Sequence, residues 1–312
     1  MIEFVKYSRD SKVIWDQYVQ RSLNGTFLFY RDYMDYHADR FIDNSLLIYR
    51  NSKLYGLLPA NRVLDTLYSH QGLTYGGFIV DSKVSALGLI DVVDALKIFL
   101  KEDGVKRVIY KPVPFIYAKT PAQDDLYALF KETDSRLIAR SLSSSIYLNH
   151  RIKFTESRKS GIRKARGKGL LVCESDRFNC FWDILEDNLQ NKYTVRPVHS
   201  LSEITLLKSR FPDNIKLYVV FDGDVIVGGT VLYVMEDVVR TQYISATSAG
   251  KESGALDILF DYLINDLFVN FRIWDFGQST ESGGQILNEQ LLFQKEGFGG
   301  RGVVFDTYEF IV

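Results

Sequence analysis

Cysteine is scarce. Cys173 and Cys180 are the only two in 312 residues, too few for a disulfide framework. Four scattered histidines add no ligand spacing of a metal site, so no metal is expected. A reduced, cytoplasmic setting fits this usage. No apolar run reaches the roughly 18 residues of a membrane span; the nearest, Leu217 to Met235, is interrupted by Asp222 and Asp224. The first ten residues place charges where a secretory leader needs an apolar core. A charge excess of either sign is also missing. Thirty-eight basic against thirty-nine acidic residues give a net charge of −1, so no whole-chain field recruits nucleic acid or an anionic membrane. Gly-x-Ser-x-Gly is absent, and no Cys/His spacing supports a covalent acyl-enzyme.

What is present is a core-forming chain, 46% hydrophobic and 14% aromatic, long enough for two domains. Its second half repeats the first in element order. Ser45–Arg50, Asn51-Ser52-Lys53 and Leu54–Ala60 read as strand, turn, strand; so do Lys216–Phe221, Asp222-Gly223-Asp224 and Val225–Met235. Another strand follows in each half, Thr66–His70 and Val238–Ser245. Helices come next, over Val84–Lys101 and Ala255–Asn270, with leucines and valines near a 3.6 period. A strand (Arg107–Tyr110, Arg272–Phe276), a shorter helix (Asp124–Glu132, Gly284–Gln294) and a long closing strand (Arg136–Leu148, Gly302–Val312) complete each half. This is the pattern of a tandem duplication of one α/β unit, with domains expected at 1–150 and 151–312. The aromatic stretch Phe27–Phe41 reads as an amphipathic helix.

Between the halves the charge shifts sharply. Residues 151–169 hold eight basic side chains against the single acid Glu156, a local +7. Lys159 and Arg163, like Lys164 and Lys168, are four apart and form a one-sided stripe if helical. Such a stripe is either a solvated helix face or a contact for phosphates.

Three segments carry a family resemblance. Ser157-Arg158-Lys159-Ser160-Gly161-Ile162-Arg163-Lys164-Ala165 with Gly169 resembles the Arg-x-x-Ile-Arg-Lys-Ala…Gly segment of FemAB-like transferases. Asp275-Phe276-Gly277 after the long helix and the tail Leu291-Leu292-Phe293-Gln294-Lys295-Glu296-Gly297-Phe298-Gly299 are similar to that family as well. The resemblance covers residues 150–312 well and the first half mainly through architecture. It implies an α/β (α+β) fold of two tandem GNAT-like domains, each a mixed twisted sheet flanked by helices, the first on the acceptor side and the second on the donor side. The activity it implies is acyl transfer to an amine or hydroxyl of a small molecule or cell-envelope precursor. Acyl-CoA is one implied donor. Aminoacyl-tRNA is the other, although no long helical arm follows the basic segment. A binding protein that keeps the fold without catalysis is the rival reading.

Candidate residues follow from the chemistry. Gly250, Lys251, Ser253 and Gly254 sit at a strand-to-helix junction, where backbone N–H groups and glycines suit donor phosphates. Asp275 and Glu281 flank a polar, glycine-bounded loop at a strand end and are candidate general bases; Tyr243 is a candidate acid for the leaving group. Gln278 and Lys295 are candidates for substrate binding in the second half. In the first half His70 and Tyr75 are the corresponding candidates, from the polar-aromatic stretch Tyr68–Gly77.

Overall fold

The computed structural model describes residues 1–193 and 195–312, and the side chains of 192 and 193 lie outside the description. Its contacts divide the chain into two units. The first is Met1–Ser141 with Ser282–Ile286 and Val304–Val312; the second is Leu142–Glu281 with Leu287–Val303. Both long closing strands therefore cross a boundary. The last strand supplies its end to the first unit, and the strand that closes the first half supplies its end to the second.

The first unit contains β1 (Ile2–Lys6), α1 (Lys12–Arg21), α2 (Arg31–Met34), β2 (Leu46–Arg50), β3 (Lys53–Leu58), β4 (Asn61–Val63), β5 (Thr66–Tyr68), β6 (Ile79–Val80), α3 (Ala86–Glu102), β7 (Arg107–Tyr110), α4 (Asp124–Glu132) and the start of β8 (Arg136–Tyr147). Strands β1-β2-β3-β6 form one antiparallel sheet. The β2–β3 hairpin turns through Asn51 and Ser52, both at positive φ (49° and 60°), as a tight two-residue turn requires. Strand β5 runs antiparallel to β4 and parallel to β7. Helix α3 starts where Ser85 Oγ accepts the Gly88 N–H at 3.1 Å. It buries Leu89, Val92, Val93, Leu96 and Leu100 against Val108, Tyr110, Leu129 and Phe310. The 27–41 stretch is not one helix. Tyr30 is extended (ψ 141°) and splits it into a 3₁₀ turn, α2 and a second 3₁₀ turn. Asp16 fixes that break by accepting the Arg31 N–H at 2.9 Å.

The second unit contains α5 (Glu156–Gly167), β9 (Leu171–Glu174), α6 (Phe178–Tyr193), α7 (Leu201–Arg210), β10 (Ile215–Asp222), β11 (Val225–Val234), β12 (Val238–Ala246), α8 (Ser248–Ser253), α9 (Ala255–Tyr262), β13 (Ile273–Gln278), the short strands β14 (Thr280–Glu281) and β15 (Ile286–Leu287, whose Ile286 counts with the first unit), and α10 (Glu289–Gly297). The chain ends in β16 (Arg301–Ile311). Strand order is β8-β13-β12-β11-β10-β9. All neighbours are antiparallel except β12 and β13. The expected Ala255–Asn270 helix is α9 followed by a π-helical turn, Leu263–Leu267. Ala255, Leu259, Phe260 and Ile264 bury its inner face on Trp274, Phe276 and Phe298. The basic segment is helical over Glu156–Gly167 only, with Ile162 and Ala165 as its buried residues. No helix among the described residues is long and apolar enough to cross a membrane.

Candidate active site

Strands β12 and β13 pair in parallel over three positions, Val238 with Ile273, Val239 with Trp274 and Arg240 with Asp275, and then part. On its other edge β12 shifts register against β11, where Val231 faces Tyr243 and Leu232 faces Thr241. Gln242 is the extra residue, and a bulge of this kind bends the strand that carries it. A cavity of about 430 Å³ opens where the strands separate. Its walls include Thr241, Gln242, Tyr243, Phe276, Gln278 and Lys295. A neighbouring cavity of about 460 Å³ shares Val195, Gln278 and Leu291 with it, and adds Ser279, Thr280, Glu281 and Asn288.

A buried polar network holds the point of separation. Asp275 is fully buried and accepts from Arg240 Nη1 (2.7 Å), Ser143 Oγ (2.6 Å), Ser145 Oγ (3.0 Å) and the Gly277 N–H (3.1 Å). Three of these donors converge on Oδ1 and Arg240 holds Oδ2, so Asp275 is an anchor that ties the neighbouring strands together. Lys295, 2% exposed, reaches from α10 and donates to the carbonyls of Gly277 and Gln278, each at 2.7 Å. Burial pushes its ammonium down to about 7, with Asp275 opposing that shift and Arg240 adding to it. The neutral amine has two N–H groups, both matched by those carbonyls, which leaves its lone pair for another partner.

Tyr243 packs edge-on against Trp182, with centroids 5.1 Å apart. Its hydroxyl accepts the His199 N–H at 3.1 Å and lies 2.6 Å from His199 Nδ1. Two buried hydroxyls at these cavities, Thr241 Oγ1 and Ser279 Oγ, have no hydrogen-bond partner among the described residues. Unmatched buried hydroxyls in cavity walls are groups a ligand can satisfy.

Of the residues singled out from sequence, Asp275, Tyr243, Gln278, Lys295 and Glu281 gather around these two cavities. The junction residues do not line either one. Gly250 is buried, its N–H accepted by Thr247 Oγ1, and a Cβ there would lie 2.1 Å from the Val227 carbonyl oxygen. Gly254 has φ +79°, and a Cβ would lie 2.4 Å from the Gly161 carbonyl oxygen of α5. Ser253 Oγ donates to the Gly250 carbonyl, and Lys251 Nζ donates to Asn188 Oδ1. These residues pack α5, α8 and β11 together. His70 and Tyr75 belong to the first unit and are buried in it. Tyr75 lies against Tyr117 and Phe29, and His70 stacks on His37 with centroids 5.3 Å apart. Sequence reasoning missed Arg240, His199, Ser143 and Ser145. Only the serines left a trace, as polar residues two apart on one face of the strand Arg136–Tyr147. Among the described residues no group of three or more His, Cys, Asp or Glu is placed to hold a metal.

The fold has solved counterparts. FemX superposes with a TM-score of 0.70 at 12% identity, covering 99% of this chain and 97% of its own. L-PGS from Bacillus licheniformis gives 0.61 at 10% identity, over 98% and 92%. A tandem GNAT protein from the clavulanic acid biosynthesis pathway gives 0.51 at 9% identity, over 100% and 98%. No protein-family model matches the sequence, and no curated protein matches it. The chain has the tandem GNAT-like fold of FemAB-like proteins, a mixed α/β architecture. At these identities the likeness is one of fold.

Proposed function

We propose that the chain is an acyltransferase whose transfer step takes place where β12 and β13 part, with Lys295 as the base. The carrying observation is Lys295 itself. It is a buried amine brought to about 7, with both neutral-state N–H groups directed to backbone carbonyls at the wall of a cavity. The amine or hydroxyl of an acceptor attacks the carbonyl carbon of an activated ester, and Lys295 takes the proton that the nucleophile sheds. The C–N or C–O bond forms, the ester bond breaks, and the departing oxygen or sulfur recovers a proton from Tyr243, which His199 can resupply. The cavity with Thr241 and Tyr243 suits the donor. The neighbouring one, with Ser279, Glu281 and Asn288, suits the acceptor, for which a small molecule or a cell-envelope precursor fits the resemblance.

An aminoacyl ester is favoured over acyl-CoA as donor by the packing at the α9 N-terminus. Asp257 occupies its first turn, paired with Arg158 at 2.8 Å, and Gly161 of α5 lies against Gly254. A pyrophosphate there would meet a carboxylate and a packed helix instead of open N–H groups. The test incubates the protein with a charged aminoacyl-tRNA pool and, separately, with acetyl-CoA and longer acyl-CoAs, each with mixed amine acceptors. Protein-dependent loss of the aminoacyl ester that Lys295→Met abolishes supports the reading. Thiol release from a CoA ester instead would transfer the assignment to acyl-CoA. Neither signal would leave the binding-protein reading standing.

A further inference from the structure

A third cavity, of about 350 Å³, lies in the second unit and shares no lining residue with the two at the strand separation. Its wall is apolar where Ile146, Phe154, Ile162, Ile264 and Phe298 meet, and its remaining lining includes Arg151, Lys153 and Lys159. The one acid there, Asp261, is already neutralised by Arg166 at 2.7 Å and accepts from Asn265 at 2.8 Å. The cations are not matched in this way. Arg151 donates to Asn265 Oδ1 and the Ile264 carbonyl, both uncharged. Lys159 has Glu156 at 3.7 Å, and Glu156 is shared with Arg163 at 2.8 Å. Lys153 has no ion-pair partner among the described residues.

We infer that this cavity binds an amphiphilic anion, an alkyl chain bearing a phosphate or carboxylate head. The chain occupies the isoleucine–phenylalanine wall, and the head meets Lys153 and Lys159. The size falls in the range of small-ligand pockets, about 300–1,000 Å³. An apolar recess with surplus positive charge selects this class over either half of it. A free phosphate gains nothing from the wall, and a neutral alcohol or alkyl cation gains nothing from the lysines. The local +7 of residues 151–169 enriches anions around the opening. The inference does not depend on the proposed transfer reaction, because it concerns other residues.

Calorimetry with decyl phosphate below its micelle concentration tests it, with decanol, inorganic phosphate and decyltrimethylammonium as comparisons. Saturable one-to-one binding of decyl phosphate is expected, weakened at least about tenfold by Lys153→Glu with Lys159→Glu and also by Ile152→Glu, at an isoleucine that lines the same cavity. All three positions are exposed or half-exposed, so unchanged thermal midpoints will separate lost binding from lost fold. Absent binding, equal affinity for inorganic phosphate, or binding that both variants retain overturns the inference. So does salt-sensitive RNA binding that requires the same lysines while decyl phosphate gives no heat. Sedimentation with phosphatidylglycerol vesicles but not phosphatidylcholine vesicles, lost in the lysine variant, would assign the amphiphile to a bilayer. Binding of decyl phosphate without vesicle association would assign it to a soluble acyl compound.

Discussion

Arg240 and Asp275 are register partners at the last parallel position of β12 and β13, and their side chains form a buried ion pair, Nη1 to Oδ2 2.7 Å. The point where the two strands stop sharing hydrogen bonds is thus tied by a charge pair. Ser143 and Ser145 of the antiparallel neighbour bind the same carboxylate. Backbone pairing ends and side-chain pairing takes over, so the separation is fixed in place instead of fraying.

Removing one charge of this pair is therefore a stability experiment. Asp275→Asn leaves the Arg240 guanidinium buried without its anion, which costs about 3–5 kcal/mol. Urea denaturation of Asp275→Asn is expected to show that loss, with partial recovery in Asp275→Asn/Arg240→Met. Near-parental stability of Asp275→Asn would show that the pair does not hold the strands.

Lys295 gives a pH prediction of definite sign. Its base form is the neutral amine, so transfer is expected to rise with pH through about 7 and then level off. Lys295→Met is expected to lower kcat by about 10²–10⁴-fold and to abolish the rise. The same shift appears in stability. The unfolded lysine keeps its proton up to about 10.4, whereas the folded one has lost it above about 7. The unfolded state then binds more protons between these values, and stability rises with pH across that window. Urea midpoints at pH 7 and 9 for the parent and for Lys295→Met measure the slope. Lys111, brought to about 8 by burial, contributes in the same direction in both proteins.

The first unit carries a sensitivity of the same sign at more acid pH. His70 and His37 are both buried, and both are held below the usual histidine range chiefly by burial. For His70, the charges of His37, Lys111 and Arg31 add to that effect. For His37, the hydrogen bond from its ring to Gly72 and the charge of Asp39 partly offset it, while Arg40 adds to it. The unfolded histidines take up protons below about 6.5, and the folded ones resist until lower pH. Stability is full above that value and falls as pH drops through it. A lower urea midpoint at pH 5 than at pH 7.5 is expected, with a smaller difference in His37→Phe/His70→Asn. Asparagine tolerates the positive φ of 66° at position 70.

The repeated order of hairpin, strand, helix and strand was legible because local rules carry it. Asn51-Ser52 and Gly223 mark turns at positive φ, and Leu89, Val92, Val93, Leu96 and Leu100 keep one helical face. The place of Val304–Val312 in the first unit was not legible, because its pairing with β7 is set by tertiary contact and not by chain order. Lys295 and Tyr243 could be singled out by residue type in a polar setting. Their partners could not. Arg240 and Asp275 stand 35 residues apart, and Ser143 is 132 residues from the carboxylate it binds. Gly250 and Gly254 show the reverse case. A spacing that suits phosphate cradling is occupied here by close helix packing.

That packing changes what a substitution at position 254 reports. With φ +79° and the Gly161 carbonyl oxygen 2.4 Å from where a Cβ would stand, any side chain meets both backbone strain and a clash with backbone. Gly254→Ala is expected to cost more than about 1 kcal/mol, and Gly254→Trp to unfold the α5–α9 contact whether or not a donor binds nearby. Thermal unfolding of Gly254→Ala, read beside donor affinity, separates the two effects. An alanine variant of parental stability would show the junction to be open.

Tyr243 supplies the most discriminating kinetic test. Tyr243→Phe keeps the ring against Trp182 and removes only the hydroxyl that His199 touches. If that hydroxyl protonates the departing oxygen, kcat falls by about 10²-fold or more while KM is little changed. The defect must then depend on the donor, because a leaving group that departs as a stable anion needs no acid. Paired measurements with a poor and a good leaving group on the same acyl chain provide the comparison. A large Tyr243→Phe effect on the poor leaving group and a small one on the good leaving group identifies the acid. An equal loss on both places Tyr243 in binding or packing, and the proton must come from Lys295 after it has accepted one from the nucleophile.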